Sequence, residues 1–166
     1  MDIKWTNLER VLNLFADRFI ELARENLASN GTNASGELSQ SLEKIIEIGE
    51  DHYSVKISLA DYWYWVENGR GPGGFPPPPA IQKWIEIKPV TPTPGADGRT
   101  PTVQQLTFLI GRKIAREGTD AQPFLEPAKE QAIREFSQAI DDAIAQDVSD
   151  YIMEIVEERM KGIFGK

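Results

Sequence analysis

Carboxylates are plentiful in this chain, but the other side chains that could do chemistry are few. His52 is the only histidine and there is no cysteine. Disulfides, thiolate metal sites and cysteine nucleophiles are thereby ruled out. A Ser-His-Asp relay would have to use His52, and no nucleophile-elbow sequence accompanies it. His52 sits beside Asp51 in an expected turn and reads as a solvated residue. The glycine-rich GRGPGG at residues 69–74 lacks the lysine and hydroxyl of a phosphate loop, and its proline removes an N–H that a phosphate cradle needs. Asp61 and Glu67 could in principle pair as acid and base on a glycoside. A carboxylate-lined cleft beside Glu67 is what that chemistry would require. The run Pro76 to Pro79 could be a polyproline ligand for an aromatic groove. No catalytic, metal or cofactor set emerges, so the chain is expected not to be an enzyme.

What remains is surface. Tyr62, Trp63, Tyr64 and Trp65 follow one another directly and must bury area in the core or against a partner. Asp61 is positioned to cap a short helix through its carboxylate. On that helix Tyr62, Trp65 and Val66 would share one face. Gly69 suits the left-handed position after a helix end. Gly71, Gly73 and Gly74 would leave the next loop mobile, and the four prolines would then stiffen it. This stretch is read as built for display, docking on a neighbour, with a core helix and loop as the plainer alternative.

The elements that must position it are legible by period. Trp5, Leu8, Leu12, Phe15, Phe19 and Leu22 recur at three- and four-residue steps, predicting a first helix that starts near a Thr6–Glu9 capping box and ends at Asn30-Gly31. Residues 35–41 suit a single helical turn. Residues 43–49 and 53–59 predict an antiparallel hairpin; Val55, Ile57 and Leu59 alternate with polar residues in its second strand. It should lie on the first helix and pair with further strands. Residues 80–87 read as a short helix with Ile81, Trp84 and Ile85 on one face, and 88–101 as a proline-rich loop. Residues 102–117 predict a helix with Val103, Leu106, Ile110 and Ile114 on one face, stopped by Gly118. Its end is basic, with Arg112, Lys113 and Arg116, and could meet an acidic neighbour or simply suit the helix dipole. The last helix, from about Glu126 to Met160, would carry its apolar residues at Ala128, Ile133, Phe136, Ile140, Ile144, Tyr151, Ile152 and Ile155. At 1.5 Å per residue it would reach about 50 Å. A domain of this size has a radius of gyration of about 15 Å. The helix must therefore break near 146–149 or project and find a partner.

The fold class that follows is α+β: an N-terminal helix, a small antiparallel hairpin, a short aromatic helix with a Gly/Pro loop, and a long C-terminal helix. One domain over residues 1–128, with a loop insertion at 70–101, would continue into a helical extension at 129–166. The net charge of −8 and isoelectric point of about 4.8 argue against a protein that coats nucleic acid. Without a positively charged N-terminal region followed by an apolar run, or any span of roughly 20 apolar residues, a soluble protein made in the cytoplasm is expected. On that reading the sequons at Asn30 and Asn33 are loop residues rather than glycosylation sites.

Two stretches carry a family likeness. DYWYWVENGRGP resembles the tyrosine-aromatic-valine-glutamate-x-glycine box of siphophage tail-completion proteins, a family of neck and minor tail components. AQPFLEPA, from Ala121 to Ala128, resembles that family's Pro-Phe-Leu-x-Pro-Ala box before its last helix. Tyr62, Trp65, Val66, Glu67 and Gly69 fill the first box; Pro123, Phe124, Leu125, Pro127 and Ala128 fill the second. Trp63 stands where the family more often has alanine, and Arg70 where it often has threonine. The order of elements also matches from Leu8 to about Ile144; the segment 76–101 and the C-terminal tail are departures. The resemblance implies a structural protein of a tailed-phage virion at the head–tail junction, present in the host cytoplasm during assembly. It implies a homo-oligomeric ring, a hexamer favoured, between tail tube or tail terminator and head-closure proteins. DNA would pass through its acidic lumen without sequence-specific binding. Trp63, Trp65, Glu67, Arg70, Phe75, Pro77, Pro123 and Phe124 are the residues expected at subunit or partner interfaces. The alternative is a monomeric interaction module working through the proline-rich loop.

Overall fold

The computed structural model describes residues 3–31, 35–49, 52–88, 92–94 and 98–164. Eight elements follow in order: α1 (Thr6–Ser29), α2 (Glu37–Gln40), β1 (Glu43–Ile48), β2 (Tyr53–Ser58), α3 (Trp63–Asn68), α4 (Pro78–Ile87), α5 (Val103–Glu117) and α6 (Leu125–Phe164). The class is the expected α+β. The chain divides into two compact units, each discontinuous in sequence. One holds residues 1–23, 43–58 and 126–166; the other holds 24–42 and 59–125.

In the first unit the hairpin pairs antiparallel, from Glu43 opposite Ser58 to Ile48 opposite Tyr53. Among the described residues the sheet has these two strands only, so the further strands expected beside it are not there. A two-stranded ribbon is marginal alone. It is held by α1 instead: the Trp5 and Tyr53 rings meet edge to face at 5.4 Å, and Lys44 Nζ reaches Asp17 at 2.7 Å. The connection through residues 50 and 51 lies outside the described residues; Gly49 N–H donates to the His52 carbonyl across it, and His52 is exposed as expected.

Helix α1 is buried around more of its circumference than one stripe. Leu8, Phe19 and Leu22 are buried as the period predicts, but so are Val11, Ala16, Ile20 and Ala23. Its start overturns the expected capping box. Glu9 N–H bonds to the Trp5 carbonyl, which makes Trp5 the cap residue, and an indole has no acceptor for the next two N–H groups. Asp147, deep in α6, supplies it. Its carboxylate accepts from Asn7 N–H at 3.0 Å, Leu8 N–H at 2.9 Å and Asn7 Nδ2 at 2.8 Å, and the residue is only 2% exposed.

Helix α6 is unbroken over 40 residues, about 60 Å at 1.5 Å per residue. The break expected near 146–149 does not occur, because Asp147 on that turn is fixed by α1. The inward face also differs from the expected one. Ala128, Ala132, Ala143 and Asp147 are buried, while Ile133 and Ile144 are exposed. Small side chains at four-residue spacing let the helix approach its neighbours closely, so bulk is not the guide to burial here. Phe136 completes that face against Phe15, edge to face at 6.0 Å. Arg18 Nε holds Glu135 at 3.0 Å, keeping that carboxylate below its usual range.

Two outcomes follow for this unit. Replacing Asp147 with Ala leaves one buried and one part-buried helix N–H group unpaired and should lower stability by about 1–3 kcal/mol, read as a lower urea midpoint; Asp147→Asn, which still accepts, should lose less. The buried Tyr53 hydroxyl has no hydrogen-bond partner among the described residues, and burial with the nearby Asp147 charge raises its pKa. A phenol raised in the folded state contributes fully below the unfolded value near 10 and loses that contribution as pH climbs through the folded value. Tyr53→Phe should therefore leave stability at neutral pH equal or higher, by up to about 1 kcal/mol, and shrink the loss above pH 10 in pH-dependent unfolding.

Candidate interaction surface

The second unit contains both sequence boxes. Helix α3 begins at Trp63, one residue later than an Asp61 cap would place it. Ala60 to Tyr62 form a turn, with Trp63 N–H on the Ala60 carbonyl, and no side chain caps the helix. That shift moves the inward face by one residue. Trp63, Val66 and Glu67 are half-buried, whereas Tyr62, Tyr64 and Trp65 are exposed, Trp65 at 56%. Neighbouring rings still brace one another: Trp63–Tyr64 and Tyr64–Trp65 meet edge to face at 5.9 and 5.4 Å. The Tyr62 phenol bonds the Leu38 backbone near Glu37 and Lys83, and burial followed by the Glu37 charge raises its pKa.

Glu67 closes the two boxes onto each other. Its carboxylate accepts from Phe124 N–H at 2.7 Å and Leu125 N–H at 2.9 Å, 57 and 58 residues away, at the start of α6. Phe124 cannot cap that helix itself, and its ring is fully buried. The strand-like segment before it is tied alongside: Gln122 N–H donates to the Val66 carbonyl at 2.8 Å, and Arg70 and Thr119 exchange backbone bonds of 2.9 and 2.8 Å. From the end of α1, Asn26 Nδ2 reaches the Phe124 carbonyl and Asn30 Nδ2 the Pro123 carbonyl, both at 3.0 Å. Asn30 is thus engaged within the unit, while Thr32, Asn33 and Ala34 lie outside the described residues.

Two glycines permit this closeness. Gly69 has φ 70° with an extended ψ of −171° rather than the left-handed helical pair, and a Cβ there would lie 2.5 Å from the Thr119 carbonyl oxygen. Gly118 stops α5 at φ 81°, where a Cβ would lie 2.0 Å from the Arg70 carbonyl oxygen. The loop expected to be mobile is anchored by the same contacts. Gly73 N–H bonds to the Ala115 carbonyl, and the Arg70 guanidinium donates to the Gly74 carbonyl.

The expected interface residues therefore separate. Trp65, Phe75, Pro77 and Pro123 are exposed. Trp63 and Arg70 are half-buried. Phe124, its ring without solvent contact, is corrected to an internal role, and the half-buried Glu67 gives its carboxylate to two N–H groups of the junction. The proline run divides too. Pro78 and Pro79 form the first turn of α4 behind Pro77 at the cap, so the four do not make one extended ligand. Ile81 and Ile85 are buried on that helix, while Trp84 is exposed. The 88–101 loop has neither helix nor strand among its described residues; residues 89–91 and 95–97 lie outside them.

Helix α5 supplies surface that the sequence reading missed. Thr102 and Gln105 close its capping box, but the buried positions are Thr107 and Gly111, and Val103 is exposed. Phe75 lies across Gly111, where a Cβ would meet its ring at 2.3 Å, and stacks on Phe108 at 6.0 Å. Phe108 and Leu109 remain exposed, with the Arg112 guanidinium 5.8 Å from the Phe108 ring centre. Beside them an open groove of about 730 Å³ runs along Arg99, Pro101, Gln105, Phe108 and Leu109. In the other unit, Ile152, Met153, Val156, Met160, Ile163 and Phe164 are all exposed at the end of α6, Phe164 at 75%. The spacing of Met153, Val156, Met160 and Ile163 was readable as a 3-4-3 seam.

No protein-family model matches the chain, and neither the curated proteins nor the solved structures compared with it contain a match. Among the described residues no group of three or more His, Asp or Glu could hold a metal ion, and no helix is long and apolar enough to cross a membrane.

Glu67→Ala should cost about 1–3 kcal/mol by freeing two N–H groups at the start of α6, while Glu67→Gln, which keeps an acceptor, should cost less. Urea unfolding of the two variants measures the difference.

Proposed function

We propose that the protein is a structural subunit of a tailed-phage virion, a tail-completion or neck component that assembles as a homo-oligomeric ring at the head–tail junction. Its neighbours on that reading are the tail tube or terminator on one side and the head-closure proteins on the other. DNA passes through the lumen without sequence-specific contacts. The observation that carries the proposal is the apolar seam on the last turns of α6. Six large apolar side chains in thirteen residues stand exposed on a helix whose earlier turns are packed. A lone soluble chain rarely leaves such a continuous patch open, and an assembly covers it. The likeness to the tail-completion family is supported by the Glu67 junction, since the two stretches that carry it meet through two hydrogen bonds from the start of α6. A building block also accounts for Glu67 serving a helix cap.

Purified protein should sediment as a ring-sized species and show annular particles in negative stain. Val156→Asp with Met160→Asp should shift it to monomer while its circular dichroism is unchanged. A wild-type chain that stays monomeric at every concentration tested would overturn the ring.

A further inference from the structure

The charge of this chain is unevenly shared. The first unit carries 18 acidic residues against 10 basic ones, and the second carries 8 of each. The entire net charge of −8 therefore belongs to the unit that holds α6, a helix with ten acidic and four basic residues. Its exposed end, from Asp150 onward, carries four carboxylates against two cations, and two of the four, Asp150 and Glu157, flank one edge of the apolar seam. The second unit concentrates cations on α5, where Arg112, Lys113 and Arg116 fall within five residues beside the exposed Phe75, Phe108 and Leu109 and outnumber Glu117, which pairs with Lys113 and Arg116. Each unit thus has an uncovered apolar surface beside charged residues, and the charge is opposite on these two.

We propose that the acidic, apolar end of α6 in one copy docks on the basic, aromatic surface of α5 in the next copy. The inference rests on the ring reading and names the contact that would build it. Like-with-like pairing is disfavoured, because two α6 ends would bring carboxylates together and two α5 surfaces would bring cations together. Pairing unlike surfaces satisfies both and is heterologous, the arrangement that closes into rings. Met153, Val156, Met160 and Ile163 lie toward the Phe108–Leu109 groove, and Asp150 and Glu157, on one edge of that seam, meet Arg112 and Arg116. Cations on an aromatic rim suit a helix that is apolar on one side and acidic on the other.

The test is a charge exchange. Arg112→Glu/Arg116→Glu and Asp150→Arg/Glu157→Arg should each lower self-association at least tenfold in sedimentation velocity at low salt, with unchanged circular dichroism. Mixing the two variants in equal amounts should restore assembly, because each then finds its complement at both ends. Wild-type association should weaken as salt rises. The absence of native cysteine allows a second readout that tolerates poor expression of the charge variants. Leu109→Cys and Val156→Cys chains, mixed, should form bismaleimide cross-links between the two kinds of chain. Wild type that assembles while the exchange changes nothing would overturn this contact and leave the ring standing; a monomeric wild type would overturn both. Cross-linking confined to Val156→Cys pairs, or within one doubly substituted chain, would place α6 elsewhere. Loss of duplex-DNA binding in Arg112→Glu/Arg116→Glu, with assembly intact, would assign the α5 surface to nucleic acid instead.

Discussion

Both long helices are immediately preceded by an aromatic residue, Trp5 or Phe124, and neither aromatic can cap a helix. The first-turn N–H groups of α1 and α6 would be left without partners if the chain relied on local sequence. Each is served by a carboxylate distant in sequence: Asp147 for α1 and Glu67 for α6. Such bonds are charge-assisted, and each holds its helix start to one position. Everything else in each unit inherits that position. Asp147 fixes the middle of α6 against the start of α1, and the hairpin then closes over α1. Glu67 fixes the segment 119–125 beside α3, and the glycine-rich loop folds onto α5 through Arg70 and Gly73.

Using carboxylates in this way has a consequence for function. The acid that looked most suited to chemistry, Glu67, is occupied in holding the fold together. The buried Asp147 is occupied likewise. What the protein leaves available to its surroundings is apolar and charged area: the ring ladder of α3, the α5 surface around Phe108, and the end of α6. Rigid packing beneath these surfaces would suit the building block proposed above, because an interface gains affinity when its parts are held in place before binding. The alanine face of α6 serves the same end. It seats the first part of the helix closely, while the bulky residues that might have formed a core are turned outward or carried to its end.

The element types and their order were legible in the amino-acid sequence. The helical period of α1, the alternation of β2, the stop at Gly118 and the long glycine-free run of α6 are local signals, and local signals survive folding. The pairing of the hairpin followed from two strands and a short connection. Faces were less legible. The inward side of α3 shifted by one residue because a turn displaced its start, and that of α5 shifted to Thr107 and Gly111 because Phe75 lies across the glycine. Neither cause has a signature in the helix's own residues.

The sequence by itself determined the α+β class, the absence of thiol chemistry, the crowded aromatics and an acidic helix too long for its domain. These depend on composition and on spacing over a few turns. Only the tertiary structure decided that Glu67 serves the start of α6, that Phe124 faces inward, that Asp147 caps α1, and that α6 is buried by its alanines and exposed by its methionines. Each of those outcomes joins residues far apart in the chain, and a carboxylate reads the same in sequence whether it meets water, a substrate or the open end of a helix.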